Sequence, residues 1–142
     1  KKLEAFLLNL FCVYGNFELS NIRKRTENEE IDIELKNKDN DSFWEQLNSP
    51  FIFIEAKNWS SKGGSPDVKI FENKISSHSN LCRLGFMISV NDYTDGCETE
   101  NIRIVADNCI LVLISGKDIN KFFDEEVSVK QFLEHMISLA IR

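Results

Sequence analysis

The segment Phe51-Ile52-Phe53-Ile54-Glu55-Ala56-Lys57 constrains this chain most. Its first four residues are large and apolar and fill both sides of the chain, the pattern of a strand buried in the middle of a sheet. Side chains alternate along a strand, so Phe51, Phe53, Glu55 and Lys57 point one way while Ile52, Ile54 and Ala56 point the other. A carboxylate emerging at the end of a buried strand must be paired, protonated or bound to a metal. Lys57 alone could serve Glu55 as that partner.

A second carboxylate arrives from upstream. From Glu29 to Lys36 the sequence alternates strictly, with Ile31, Ile33 and Leu35 on one face and Glu30, Asp32 and Glu34 on the other. Taken alone, this is the pattern of a half-solvated strand. Paired antiparallel with the Glu55 strand through the polar loop from Asn37 to Pro50, it brings Asp32 beside Glu55. The two then form an oxygen cradle suited to Mg²⁺.

Around this pair the chain carries an amphipathic helix with Leu3-Glu4, a Glu30-Ile31-Asp32 strand, and Ser49-Pro50 leading into the strand that ends Glu55-Ala56-Lys57-Asn58-Trp59. Gly64-Ser65 follows, then a helix with Val68 and Phe71, then Arg83 to Ser89. The strand Ile110 to Ile114, with Gly116-Lys117-Asp118-Ile119 behind it, completes the set. In this order the residues resemble the PD-(D/E)xK nuclease superfamily, and within it the Mrr-like restriction endonuclease domains, over most of the chain. Ile31 stands where the motif name has Pro, and Ala56 fills the small position inside Glu-x-Lys.

The resemblance implies an α/β fold with a restriction-endonuclease-like three-layer core in the order αβββαβ, a mixed central sheet flanked by helices. It implies a metal-dependent endonuclease hydrolysing phosphodiester bonds of DNA, in a restriction or defence context. Asp32, Glu55 and Lys57 are then the catalytic residues. Mg²⁺, with Mn²⁺ able to substitute, is held by Asp32, Glu55 and the backbone carbonyl of Ala56, and Glu4 approaches the metal. Lys57 orients or deprotonates the attacking water and stabilises charge on phosphorus. Two nearby carboxylates favour its ammonium form, and hence electrostatic positioning over free-base chemistry. Two alternatives stand beside this reading: the same fold acting on RNA or single strands, and a binding or assembly module that no longer cleaves. The intact Asp32, Glu55 and Lys57 argue against the second.

Composition bounds the partners. The 142 residues are the size of one domain able to bury a core, so a single nuclease domain over 1–142 is expected, and the Lys1-Lys2 start suggests a fragment of a longer chain. No apolar run approaches the ~20 residues of a membrane span, and no signal-peptide pattern is present, so a cytoplasmic protein without a membrane partner is expected. Cys12, Cys82, Cys97 and Cys109 lack a Cys-x-x-Cys spacing and argue against zinc. The net charge of −6 opposes tight nucleic-acid binding. Grip on DNA would then come from a targeting domain elsewhere or from a homodimer. The basic cluster Arg23-Lys24-Arg25 reads either as a phosphate contact or as a solvated turn.

The remaining pattern is scaffold. Leu3, Phe6, Leu7, Leu10 and Phe11 recur at helical spacing, with Glu4 either held by the helix dipole or facing the site. Ser65-Pro66 reads as N-cap and N1 of a helix ending between Ser76 and Ser79, whose exposed amides could hold a phosphate. Leu84 to Val90 is a buried strand, parallel to the Glu55 strand because a helix separates them. Ile102 to Ala106 fits a helix or a strand. Cys109 to Ile114 is a strand, followed by a short helix past Gly116 and a longer one from Val129. His78 and His135 read as surface residues. Trp59, Trp44 and Phe43 could contact substrate, with local packing the simpler account.

Overall fold

A central sheet divides the apolar residues into two unequal cores. The computed structural model describes residues 2–13, 17–25, 30–38, 41–57, 64–77, 81–90 and 109–141. The elements in order are α1 (Lys2–Leu8), continued by a π-helical turn (Asn9–Val13), β1 (Phe17–Arg25), β2 (Glu30–Asn37), α2 (Ser42–Gln46), β3 (Phe51–Lys57), α3 (Ser65–Ser76), β4 (Cys82–Ser89), β5 (Ile110–Ser115), α4 (Gly116–Asp124) and α5 (Val129–Ala140). The strands lie side by side in sequence order, β1, β2 and β3 antiparallel and β3, β4 and β5 parallel. With α2 as a short insert, this is the expected helix, three strands, helix and parallel strand, extended by β5.

Ile33 and Leu35 of β2, Ile52, Ile54 and Ala56 of β3, and Leu84, Phe86 and Ile88 of β4 face the larger core, against Leu7 and Phe11 at the chain start and Leu133 and Ile137 of α5. The other face carries the smaller core, where Val68, Phe71 and Ile75 of α3 meet Met87 and Leu111. Gly85 lets α3 lie close, since a Cβ there would stand 2.9 Å from the Phe71 ring. Burial in this core pushes the Cys82 thiol up to about 12 and Cys109 to about 11, so both act as small apolar groups.

Two elements were not legible. β1 hides behind a β-bulge: Leu19 faces Leu35 and Asn21 faces Glu34, leaving Ser20 as the extra residue. β1 therefore turns Phe17, Leu19 and Ile22 to the larger core's face, with Leu19 exposed, which breaks the period of two. The Arg23-Lys24-Arg25 cluster consequently lies in a strand and not in a turn. α2 interrupts the loop between β2 and β3, capped by Asp41, whose carboxylate accepts from the Phe43 N–H at 3.1 Å. It buries Trp44 edge-on against Phe17 at 5.2 Å, so this tryptophan packs. Asn48 leaves α2 in the left-handed region at φ 53°, which asparagine tolerates.

Gly64, not Ser65, is the N-cap of α3; its N–H donates to the Asp67 carboxylate at 2.9 Å. An acidic group thus already serves that helix start, which weakens the case for phosphate there. Ser115 caps α4 reciprocally with Asp118, as Ser128 caps α5 with Gln131. His135 is exposed on α5. His78, Cys97, Trp59 and the Ile102 to Ala106 stretch lie outside the described residues. No described helix is long and apolar enough to cross a membrane.

The β3–β4 register is pinned by Ser49. Phe51 pairs with Cys82 but Ile52 with Leu84, so Arg83 is supernumerary. The buried Ser49 hydroxyl accepts from the N–H groups of Arg83 and Leu84 at 2.9 and 3.1 Å and donates to the Phe51 carbonyl at 2.6 Å. Ser49→Ala should cost about 1–3 kcal/mol in denaturant unfolding, the desolvation penalty of amides left without an acceptor. A loss within ±0.3 kcal/mol would show that solvent replaces the hydroxyl.

Candidate active site

Register brings the predicted carboxylates together. Asp32 of β2 pairs with Glu55 of β3, and the row continues across the sheet from Arg23 of β1 to Met87 of β4. Paired residues share a face. Asp32, Glu55 and Lys57 therefore stand on the α3 side, opposite the larger core.

Glu55 is 1% exposed, deep enough that a lone carboxylate would be costly. The Lys57 ammonium lies 3.3 Å from its Oε2 and is itself buried. A second cation, absent from the sequence-based site, comes from α3: Lys74 Nζ donates to Glu55 Oε1 and lies 3.7 Å from Asp32 Oδ2. Two carboxylates thus meet two ammonium groups. Burial pushes the Glu55 carboxyl above its ordinary range; the Lys74 hydrogen bond and the charges of Lys57 and Lys74 pull it back, and Asp32 pushes it further up.

Beside the pair lies a cavity of about 250 Å³, lined by Asn21, Arg23, Asp32 and Glu34 from the sheet, Phe71 and Lys74 from α3, and Ser77 at its C-cap. Arg23 reaches this face only because of the Ser20 bulge, which shifts the alternation by one. Glu34 is tied to β1 by the Ser20 hydroxyl at 3.0 Å. Glu4 is half-buried on α1, whose buried Leu7 packs in the core on the sheet's other face. Among the described residues, no group of three or more His, Cys, Asp or Glu is placed to hold a metal ion.

The model of the restriction endonuclease family Mrr_cat matches residues 1–123. The chain belongs to that family. The family is one of restriction endonucleases. No curated protein matches the chain. Among solved structures, EndoMS in its apo form is similar at 11% identity with a TM-score of 0.51, over 80% of this chain and 44% of that one. This likeness shows the restriction-endonuclease-like fold. The chain spans less than half the length of that protein.

Lys74 was missed for a definable reason. The stripe Val68, Phe71, Ile75 marks the buried side of α3, and Lys74 flanks it, where a lysine usually snorkels to solvent. Only the choice of sheet face turns that edge toward Glu55. Lys57→Met should destabilise the protein by about 3 kcal/mol at neutral pH, the low end for breaking a buried pair, because Lys74 still compensates Glu55. With Glu55 raised further, the folded variant holds a proton that the unfolded chain releases, so stability falls as pH rises through that interval. The deficit should be smallest below the ordinary glutamate range and widen above it. Denaturant midpoints across pH would read this; a deficit independent of pH would contradict it.

Proposed function

We infer that the chain is a metal-dependent endonuclease domain hydrolysing phosphodiester bonds of DNA in a restriction or defence setting, with Asp32, Glu55 and Lys57 as catalytic residues. The observation that carries this reading is the register of Asp32 against Glu55 within a restriction endonuclease family domain. The donors suit a hard dication. Both side chains offer oxygen, and the buried Oε2 of Glu55, ion-paired with Lys57 at 3.3 Å, accepts no hydrogen bond. Mg²⁺ is the proposed ion, with Mn²⁺ as substitute, held by Asp32, Glu55 and the backbone carbonyl of Ala56. Glu4 is a proposed further ligand on the strength of the resemblance alone.

When bound, the ion supplies Lewis-acid stabilisation at the phosphoryl group and makes water a better nucleophile. The chain's own residues do the rest. Lys57, fixed by its strand beside Glu55, keeps an ammonium pointed at the place where charge builds on phosphorus and orients the attacking water. Arg23, on the cavity wall, offers a guanidinium to a flanking phosphate. With a net charge of −6, affinity should be weak and its salt dependence shallow. A further domain or a second copy would supply the grip.

The test is incubation of the pure chain with labelled double-stranded DNA, single-stranded DNA and RNA, in Mg²⁺, Mn²⁺ or EDTA. Metal-dependent cleavage of DNA is expected. Asp32→Asn, Glu55→Gln and Lys57→Ala should each lower it by at least ~10²-fold, typical of losing one electrostatic contact at a reacting centre. In Mn²⁺ calorimetry the two acidic variants should lose binding and Lys57→Ala should keep it. Cleavage in EDTA, or acidic variants that cleave like the parent, would sink the reading. Glu4→Gln should weaken Mn²⁺ binding without moving the metal-free thermal midpoint; if Glu4 serves only the helix dipole, a loss of roughly 0.3–1 kcal/mol with normal binding is the result.

A further inference from the structure

Lys74 has no part in the reaction as derived above, yet it sits between the two carboxylates. Its ammonium hydrogen-bonds Glu55 and lies 3.7 Å from Asp32, so one group touches both proposed metal ligands, as a bound cation would. The partners differ in freedom. Lys57 is 6% exposed and fixed by the sheet, whereas the Lys74 side chain is 34% exposed and ends beside the cavity that holds Arg23. Lys74 can therefore withdraw into that space through its own side-chain torsions, with α3 in place. We propose that Lys74 is a tethered counter-cation that holds the carboxylate pair in the metal-free protein and must be displaced by the incoming divalent ion.

Charge accounting supports an exchange over simple addition. Asp32, Glu55, Lys57 and Lys74 sum to zero when all are ionised, so a dication added to the intact quartet enters a site whose negative charge is already matched. Oε1 of Glu55 cannot both accept from Lys74 and turn fully to a metal. Displacement frees that oxygen, and the ammonium released from the carboxylates leaves an uncompensated charge on the cavity wall that Lys74 and Arg23 both line, where a phosphate chain would run. Metal occupancy and substrate binding would then be coupled through one side chain. This inference rests on the metal-dependent reading of the site.

The test is calorimetric titration of the EDTA-stripped protein with Mn²⁺, together with thermal midpoints with and without the ion. The parent is compared with Lys74→Met, Lys74→Gln and the charge-preserving Lys74→Arg. Lys74→Met and Lys74→Gln should bind Mn²⁺ about fivefold or more tightly, the lower range of site-to-site coupling, while Lys74→Arg should bind no tighter than the parent. Their metal-free midpoints should fall, and the rise on adding Mn²⁺ should exceed that of the parent. Unchanged or weaker binding by both neutral variants, with Asp32→Asn still abolishing it, would overturn the role of Lys74 and leave the metal reading standing. No Mn²⁺ binding by the parent or by any Lys74 variant would overturn both.

Discussion

A carboxylate with 1% exposure in the central strand of a sheet is the constraint to which the rest of this structure answers. An unpaired charge there would cost more than most domains have in net stability. The fold meets that cost with two ammonium groups from different elements, Lys57 two residues along the same strand and Lys74 on the crossover helix. The opposing Asp32 raises the charge again. Such an arrangement is poor value as a stabilising device, since apolar residues of similar volume would serve a sheet interior at least as well. Its presence in a restriction endonuclease family domain is consistent with the cation site proposed above.

Placement of the site follows from how the layers divide. α1, α4 and α5 lie on the larger core's side of the sheet, through Leu7, Ile119 and Leu133. α3 lies on the other side, with its buried stripe in the smaller core of Met87 and Leu111. Between that helix and the β1–β2 half of the sheet lies the cavity, and the carboxylate pair is at its edge. The bulge at Ser20 sets which residues of β1 look into it: without the extra residue Arg23 would share a face with Leu19, toward the larger core. One supernumerary residue therefore decides whether a guanidinium faces the site.

Electrostatics divide cleavage from grip. The site's own charges are balanced and the chain as a whole is acidic; the basic residues lining the cavity are Arg23 and Lys74. A nuclease domain with this charge distribution, as proposed, would position one phosphodiester well and hold the rest of a duplex poorly. On the proposed function, avidity would supply the affinity, while a bound metal and Lys57 would act on the scissile bond.

The amino-acid sequence by itself determined the strand that carries Glu55 and Lys57, the alternation that aims Asp32 at the same face, and the helix that makes β3 and β4 parallel. These are local periodicities, and a period of two or 3.6 survives in one dimension. β1 escaped because its bulge breaks that period, and α2 because five residues in a polar loop are too few to show one. Lys74 and the cavity were decided only by the tertiary structure. Which face of a sheet a crossover helix covers depends on strand order and on close packing at Gly85, neither of which is written beside Lys74 in the chain. Its meeting with Glu55 across 19 positions is a contact between elements, and only folding brings those elements together.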